Sequence, residues 1–192
     1  MKKNIRPKLP KLRLPAMNCK MGDRGYLVTA MRFSEIAERV VGDVRLIHKS
    51  VKLAEWIQRQ LITAHANRIA NYLKTEPSRF FNALVIGVYG GDPQWSELSV
   101  TDPADELTDD EQQRVNATIG VLILTGKETL FPIDGQHRVV GIKKAVLDEP
   151  ELGDEEVTVI FVGHAKSDTG TQRTRRLFVT LNQRAKKVSN AD

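Results

Sequence analysis

The chain has 192 residues, 41% hydrophobic and 28% charged, which is typical of one soluble globular domain. Its single cysteine, Cys19, excludes a disulfide framework and a cysteine-rich zinc site. The formal net charge of +5 fits a polyanionic partner but is also ordinary for a soluble protein. The basic N-terminus lacks the apolar segment of a signal peptide, and no apolar run could span a bilayer. We therefore expect a cytoplasmic protein that does not contact membranes.

The first part of the chain predicts a basic arm followed by strands and helices. Residues 1–24 carry eight basic residues against the single acid Asp23, and residues 4–15 show neither a strand period nor a helix period. We therefore expect 1–24 to form a basic N-terminal arm, which either contacts nucleic acid or is a peripheral tail, and 25–192 to form the domain. The patterns that follow predict a strand at 26–31, a helix at 33–41 capped by Ser34, a long helix at 50–74 and a buried strand at 81–89.

The second part of the chain continues this alternation of strands and helices. A short strand is expected at 95–100, then an acidic segment at 102–111, whose carboxylates we interpret as solvated in preference to a divalent-metal site. Strands at 118–124 and 130–133 flank Thr125-Gly126-Lys127-Glu128, which predicts a hairpin. After a central helix come a strand at 157–162, a polar loop at 164–174 and a final helix ending near residue 181. The fold class is therefore α/β (α+β), a single domain with a mixed sheet.

The most informative stretch lies where the strand at 130–133 turns into the central helix, at Asp134-Gly135-Gln136-His137-Arg138. With Asp134 as the N-cap, the next residues occupy the first helical turn, where unpaired N–H groups and the helix dipole favour an anion. Arg138 adds a planar fork suited to phosphate oxygens, and His137 adds a group that titrates near neutrality. The residues therefore fit either a phosphate site or a capping turn with a solvated first turn.

A second motif, Leu177-Phe-Val-Thr-Leu-Asn182-Gln-Arg184-Ala-Lys186-Lys187-Val188, follows the first. Together the two motifs resemble the DGQHR-domain family, whose best-known members are the DndB proteins of bacterial DNA phosphorothioation systems. Residues 26–41 and 68–73 are similar to the family's opening strand–helix and to its arginine-to-Tyr-Leu helix. Family members are usually longer, so we expect a short relative or a fragment that lacks a C-terminal helical part.

The resemblance implies a fold related to the ParB and sulfiredoxin group, in which a strand-to-helix turn contacts phosphate or nucleotide. Carried onto this sequence, the phosphate- or nucleotide-binding residues are Asp134, Gly135, Gln136, His137, Arg138 and Asn182. Asn182 has a structural alternative, since asparagine at a helix end often adopts a left-handed conformation. Cys19 has no local feature that would make it a nucleophile, so a sulfiredoxin-like activity is not expected.

The resemblance also implies a DNA-binding regulator of a DNA phosphorothioate modification and phage-defence system, acting on transcription of the modification operon. DNA is the expected partner, while other subunits of the system and a homo-oligomer stay open. Because no helix-turn-helix is recognisable, only phosphate contact is supported by the residues themselves. The predicted DNA-binding residues form a basic zone near the end of the chain: Arg173, Arg175, Arg176, Arg184, Lys186 and Lys187.

Two alternatives belong to other function classes. In a ParB-like hydrolase, an NTPase or nuclease, Arg138 would hold phosphates while Asp134 or His137 positions water or magnesium. Asp134, His137 and Arg138 would then be catalytic, and the cofactor would be a nucleotide with magnesium. A Walker-type lysine loop is absent from the sequence. The other alternative is a protein-interaction subunit of the modification machinery.

Overall fold

The computed structural model describes residues 9–41, 63–101 and 106–164. The strands are β1 Leu12–Met21, β2 Arg24–Arg32, β3 Leu84–Tyr89, β4 Gln94–Glu97, β5 Ile119–Leu124, β6 Thr129–Asp134 and β7 Glu156–His164. The helices are α1 Phe33–Arg39, α2 Thr63–Thr75, α3 Asp109–Thr118 and α4 Gln136–Asp148, and a 3-10 helix spans Pro150–Asp154. The predicted mixed α/β class is confirmed, while the ParB-like relationship stays a prediction.

The seven strands in these ranges form one mixed sheet in the order β4-β5-β1-β2-β7-β3-β6. Neighbouring strands are antiparallel except β3 and β7, which are parallel. β5 and β6 lie second and seventh, so the predicted hairpin between them is wrong. In a flat sheet five strand spacings cover about 24 Å. Five residues from Leu124 to Thr129 reach at most about 18 Å, so the sheet has to curl.

The link between β5 and β6 is held by the carboxylate of Glu128. It accepts hydrogen bonds from the Thr125 backbone N–H at 2.9 Å, the Thr125 hydroxyl at 2.7 Å and the Gly126 N–H at 2.9 Å. Burial alone would raise the pKa of Glu128, but the hydrogen bonds from Thr125 and Gly126 outweigh it and lower that pKa. Gly126 has a φ of 82°, and a Cβ there would lie 2.0 Å from the Leu9 carbonyl oxygen. The link therefore needs both the glycine and the ionised carboxylate.

β1 corrects the prediction of an extended arm from Leu12 onward. The strand pairs with β2 on one side and with β5 on the other, which places it inside the sheet. Leu14 and Ala16 are buried, whereas Arg13 and Pro15 between them are exposed. The alternation was present in the sequence, but the basic residues and Pro15 concealed it. Residues 1–8 lie outside the described residues, so an arm over that part stays a prediction.

The main hydrophobic core lies between the helices and one face of the sheet. Buried residues of α1, α2 and α4, among them Ile36, Leu73 and Ile142, join strand residues such as Met31 and Ile86. A smaller cluster lies on the opposite face and contains Val85, Phe131, Ile133 and Val162. The strands predicted at 26–31, 130–133 and 157–162 are confirmed within β2, β6 and β7, and those predicted at 81–89 and 118–124 are observed as β3 and β5, which begin at Leu84 and Ile119.

The start of α1 differs from the sequence prediction, and α3 was not predicted. The N-cap of α1 is Arg32 and not Ser34, whose hydroxyl instead donates to the Gly153 carbonyl at 2.9 Å. α3 begins after Thr108, whose side chain accepts a hydrogen bond from the backbone N–H of Glu111 while the Glu111 carboxylate accepts from the Thr108 N–H. The first residues of α3 belong to the segment 102–111, whose carboxylates were interpreted as solvated. α3 has no buried residue, so no apolar pattern indicated a helix there.

Some predictions lie on residues that the structure does not describe. Only Thr63–Thr75 of the long helix predicted at 50–74 is described, and the strand predicted at 95–100 is observed as Gln94–Glu97. The loop at 164–174 and the final helix lie outside the described residues, apart from the first residue of that loop. Among the helices that the structure describes, none has the length and apolar character needed to cross a membrane.

Candidate phosphate-binding site at the start of α4

The turn from β6 into α4 is built around Gly135. This residue is the N-cap of α4, with φ 86° and ψ 22°, a left-handed conformation that glycine adopts without strain. A Cβ at this position would also lie 2.5 Å from Leu84 Cδ2. Asp134 is the last residue of β6, so the prediction that it caps α4 is wrong. The N-cap position has a positive φ, which favours glycine over aspartate, and the Asp134 carboxylate makes a different contact.

That contact is an ion pair with Arg138, one turn further along. Arg138 Nη2 donates to Asp134 Oδ2 at 2.7 Å, and Nη1 donates to the carbonyl oxygens of Asn82 and of Ala83, the latter at 3.2 Å. The Arg138 side chain is only 18% exposed. Arg138 therefore joins the start of α4 to the residues before β3, and both of its terminal nitrogens are bonded within the protein.

Gln136, the first residue of α4, carries a buried donor without an acceptor. The residue is 9% exposed, and within the described residues its Nε2 has no hydrogen-bond partner. A buried unpaired donor costs about 1–3 kcal/mol. Gln136 is the first residue of α4, where first-turn N–H groups have no partner inside the helix. An anion at this point would satisfy both kinds of donor.

α2 lies parallel to α4 and brings further polar residues to the same end. The His65 and His137 rings meet edge to face with centroids 5.0 Å apart. Further along, Gly141 approaches Ile69 so closely that a Cβ there would lie 2.4 Å from Ile69 Cγ2. At the far end Lys74 Nζ donates to Asp148 Oδ2 at 2.8 Å, a bond that raises the pKa of Lys74. The register of these contacts aligns His65 with the start of α4.

Arg68 completes the group, which we call the helix-start site and define as His65, Arg68, Gln136 and His137. His65 and Arg68 are exposed, and Arg68 Nη2 lies 3.4 Å from His65 Nδ1. The sequence reasoning named neither residue as a site candidate. Their spacing of three residues places them on one helix face, but nothing in the sequence indicates which helix that face meets.

The other predicted site residues are placed as follows. Asp134, Gly135, Gln136, His137 and Arg138 come together at the start of α4. Within the described residues, no group of three or more His, Cys, Asp or Glu side chains is arranged to hold a metal ion. The remaining predicted residues lie outside the described residues: Asn182, Arg173, Arg175, Arg176, Arg184, Lys186 and Lys187.

Comparison with known proteins identifies one family. The family model of DndB, described as DNA-sulfur modification-associated, matches residues 14–191. No curated protein and no solved structure matches this chain. The match covers β1 from Leu14 onward, the other six strands and the four helices described above, including both helices that form the helix-start site.

Proposed function

The chain belongs to the DndB family, which is associated with DNA sulfur modification, and on this premise we propose that it is a DNA-binding regulator that controls transcription of a modification operon. In this role it contacts the phosphate backbone of the duplex through the helix-start site. The other subunits of the modification system, and a second copy of the chain, are further partners under this proposal.

The observation that carries the proposal is the meeting of α2 and α4. His65 of α2 meets His137 in the first turn of α4, 72 positions away in the chain, and Arg68 lies beside His65. Arginine, histidine and helix N-termini are the usual donors to DNA phosphates. The buried Gln136 amide adds a donor that has no acceptor among the described residues. The arrangement thus offers several donors to one anionic group.

Phosphate contact fixes the position of a protein on DNA without reading its sequence. The helix-start site therefore accounts for affinity, and preference for an operator has to come from DNA shape or from residues elsewhere. The exposed Lys11, Arg13 and Lys20 of the β1 region supply additional positive charge. Under this proposal they contribute to the salt dependence of binding.

The regulator proposal is tested with two labelled duplexes of equal length, one from upstream of the modification operon and one unrelated. We expect tighter binding to the upstream duplex, and in cells lacking the protein we expect operon transcripts to rise. Re-expression of wild type should lower the transcripts, and Arg68→Ala should not. Equal affinity for both duplexes, together with transcripts that do not change, would refute the regulatory role.

The second candidate function is a nucleotide hydrolase, which is favoured by the hydrogen bonding of the Asp134 carboxylate. Oδ2 of this carboxylate is bonded to Arg138, and no hydrogen bond to Oδ1 is made by the part of the chain that the structure describes. In the hydrolase proposal Oδ1 binds water or a magnesium ion. The test is release of phosphate from ATP or CTP with magnesium. Activity that is lost in Asp134→Asn and in His137→Ala, with both variants folded, would favour the hydrolase; no release by wild type would remove it.

A further inference from the structure

The curled sheet forms a pocket that is partly open to solvent, at the end opposite to the helix-start site. Its volume is about 350 Å³. The cavity contacts Val88 late in β3, whereas Gly135 of the α4 turn lies next to Leu84 at the beginning of β3. Four residues of strand separate these positions by about 13 Å. The cavity is therefore distinct from the helix-start site.

The strand register places the walls of the cavity on the face of the sheet that also carries the main core. Leu27 is paired with Asn18 on one side and with Phe161 on the other. Trp95 is paired with Leu122, and Gly163 with Val88. Residues of six neighbouring strands therefore surround one space, which the core side chains leave unfilled at this end.

Two exposed glycines lie at the solvent-accessible part of the pocket. Gly25 and Gly163 both line it, and a Cβ added at either would meet no atom within 4 Å. Neither has a positive φ, so the backbone does not require glycine at these positions. Glycine inside a strand weakens it and often marks the close approach of a ligand. The missing side chains thus preserve volume that no described part of the protein uses.

The lining indicates which ligand chemistry fits. None of the lining residues is charged, and Trp95 and Phe161 supply aromatic surface. Burial of a charged group here would be unfavourable, because no opposite charge compensates its desolvation. An apolar protein cavity of about 150 Å³ already accommodates benzene, so the larger volume here suits a molecule with two rings. Asn18 offers a single amide for a polar atom.

We propose that the cavity between Trp95, Phe161 and Gly163 binds an uncharged, largely apolar molecule with two aromatic rings. The inference does not depend on DNA binding, since the two sites lie at opposite ends of the sheet. Aromatic rings of such a ligand would pack against the indole of Trp95 and the ring of Phe161, the arrangement that aromatic groups prefer.

The test uses the full chain and 6-propionyl-2-dimethylaminonaphthalene, an uncharged dye with two fused aromatic rings that brightens in apolar surroundings. We expect saturable brightening with one dye bound per chain. Gly163→Ile should weaken this binding about tenfold or more, because it fills space that the ligand needs. The matched control is Ala30→Ile, which adds an isoleucine at an exposed position of β2 on the opposite face and should leave binding unchanged.

Gly25→Val provides the same test from another wall, with circular dichroism to verify that each variant is folded. If Gly163→Ile does not fold, dye binding by Gly25→Val decides the test. Wild type that shows no saturable brightening, or folded Gly163→Ile or Gly25→Val that binds as wild type does, would overturn the proposal. DNA affinity should be unchanged in both glycine variants, so failure here is distinguishable from failure of the DNA-binding proposal.

Discussion

Replacement of Arg138 by alanine removes the side chain that joins the start of α4 to the residues before β3. The side chain donates to Asp134, to the Asn82 carbonyl and to the Ala83 carbonyl. We expect Arg138→Ala to unfold at a clearly lower denaturant concentration than wild type. The cause is structural, because the variant loses these bonds in the absence of any ligand.

The expected loss of stability in Arg138→Ala follows from the hydrogen bonds that the side chain makes. A hydrogen bond to a charged partner contributes about 1.5–3 kcal/mol, and a neutral one about 1 kcal/mol. Because the Asp134 side chain is 36% exposed, solvent screening reduces the contribution of the Arg138–Asp134 ion pair to the lower part of that range. The free energy of unfolding should therefore fall by about 2–4 kcal/mol, a large part of the 5–15 kcal/mol that is ordinary for a domain. Asp134→Asn removes only the ion pair and should cost about 1 kcal/mol.

Urea unfolding followed by circular dichroism measures these changes. The matched control is Arg114→Ala, which removes an exposed arginine from α3 and should alter the unfolding free energy by less than about 0.5 kcal/mol. If Arg138→Ala were no more destabilising than this control, Arg138 would not be a structural link. An unstable Arg138 variant would also be a poor probe of ligand binding, so the exposed Arg68 is preferable for that purpose.

Three further predictions concern stability. Gly141→Ala should lower the free energy of unfolding by about 1–3 kcal/mol, because the added Cβ clashes with Ile69. Alanine in place of glycine usually stabilises a helix, so the expected sign is the opposite. Urea unfolding measures the change, and a stabilised variant would contradict the close packing. Glu128→Gln should lower the melting temperature at pH 7, and the difference from wild type should vanish as the pH falls. The folded pKa of Glu128 is lowered, so its stabilisation is fully present above the unfolded pKa of about 4.3 and is lost as the pH falls through the lower folded pKa. A difference independent of pH would contradict this. Thr108→Ala should cost about 1 kcal/mol by removing the cap of α3, measured as reduced helicity and stability, whereas unchanged values would refute the capping.

Local patterns in the sequence were sufficient for most elements. The alternating or continuous apolar residues of β2, β3, β6 and β7 identify strands without knowledge of their neighbours, and the helical period after Gly135 identifies α4. The family resemblance was confirmed over nearly the whole chain. These features depend on residues close to one another in sequence.

Strand pairing depends on distant residues, and there the prediction failed. The short link at Thr125–Glu128 suggested a hairpin, but β5 pairs with β1 and β4, and β6 pairs with β3. The decisive fact is the curl of the sheet, which lets a short link join two strands that are far apart in the strand order. α3 was missed for another reason: none of its residues is buried, so only its Thr108 capping box could have identified it.

The candidate site was predictable in part. The sequence placed the phosphate-binding candidates at the start of α4, but it assigned the N-cap to Asp134 and an open guanidinium to Arg138. The left-handed conformation of Gly135 and the carbonyl partners of Arg138 at Asn82 and Ala83 arise only in the folded chain. His65 belongs to the site because α2 lies parallel to α4, which no local pattern encodes.

The most direct test of DNA-phosphate contact at the helix-start site is the salt dependence of DNA binding by Arg68→Ala. Fluorescence anisotropy with a labelled duplex at several salt concentrations gives the slope of log affinity against log salt. We expect Arg68→Ala to bind more weakly and to have a slope smaller by about 1, the value for one lost phosphate contact. Arg114→Ala should retain the wild-type slope. Wild-type affinity and slope in Arg68→Ala would contradict phosphate binding at this site.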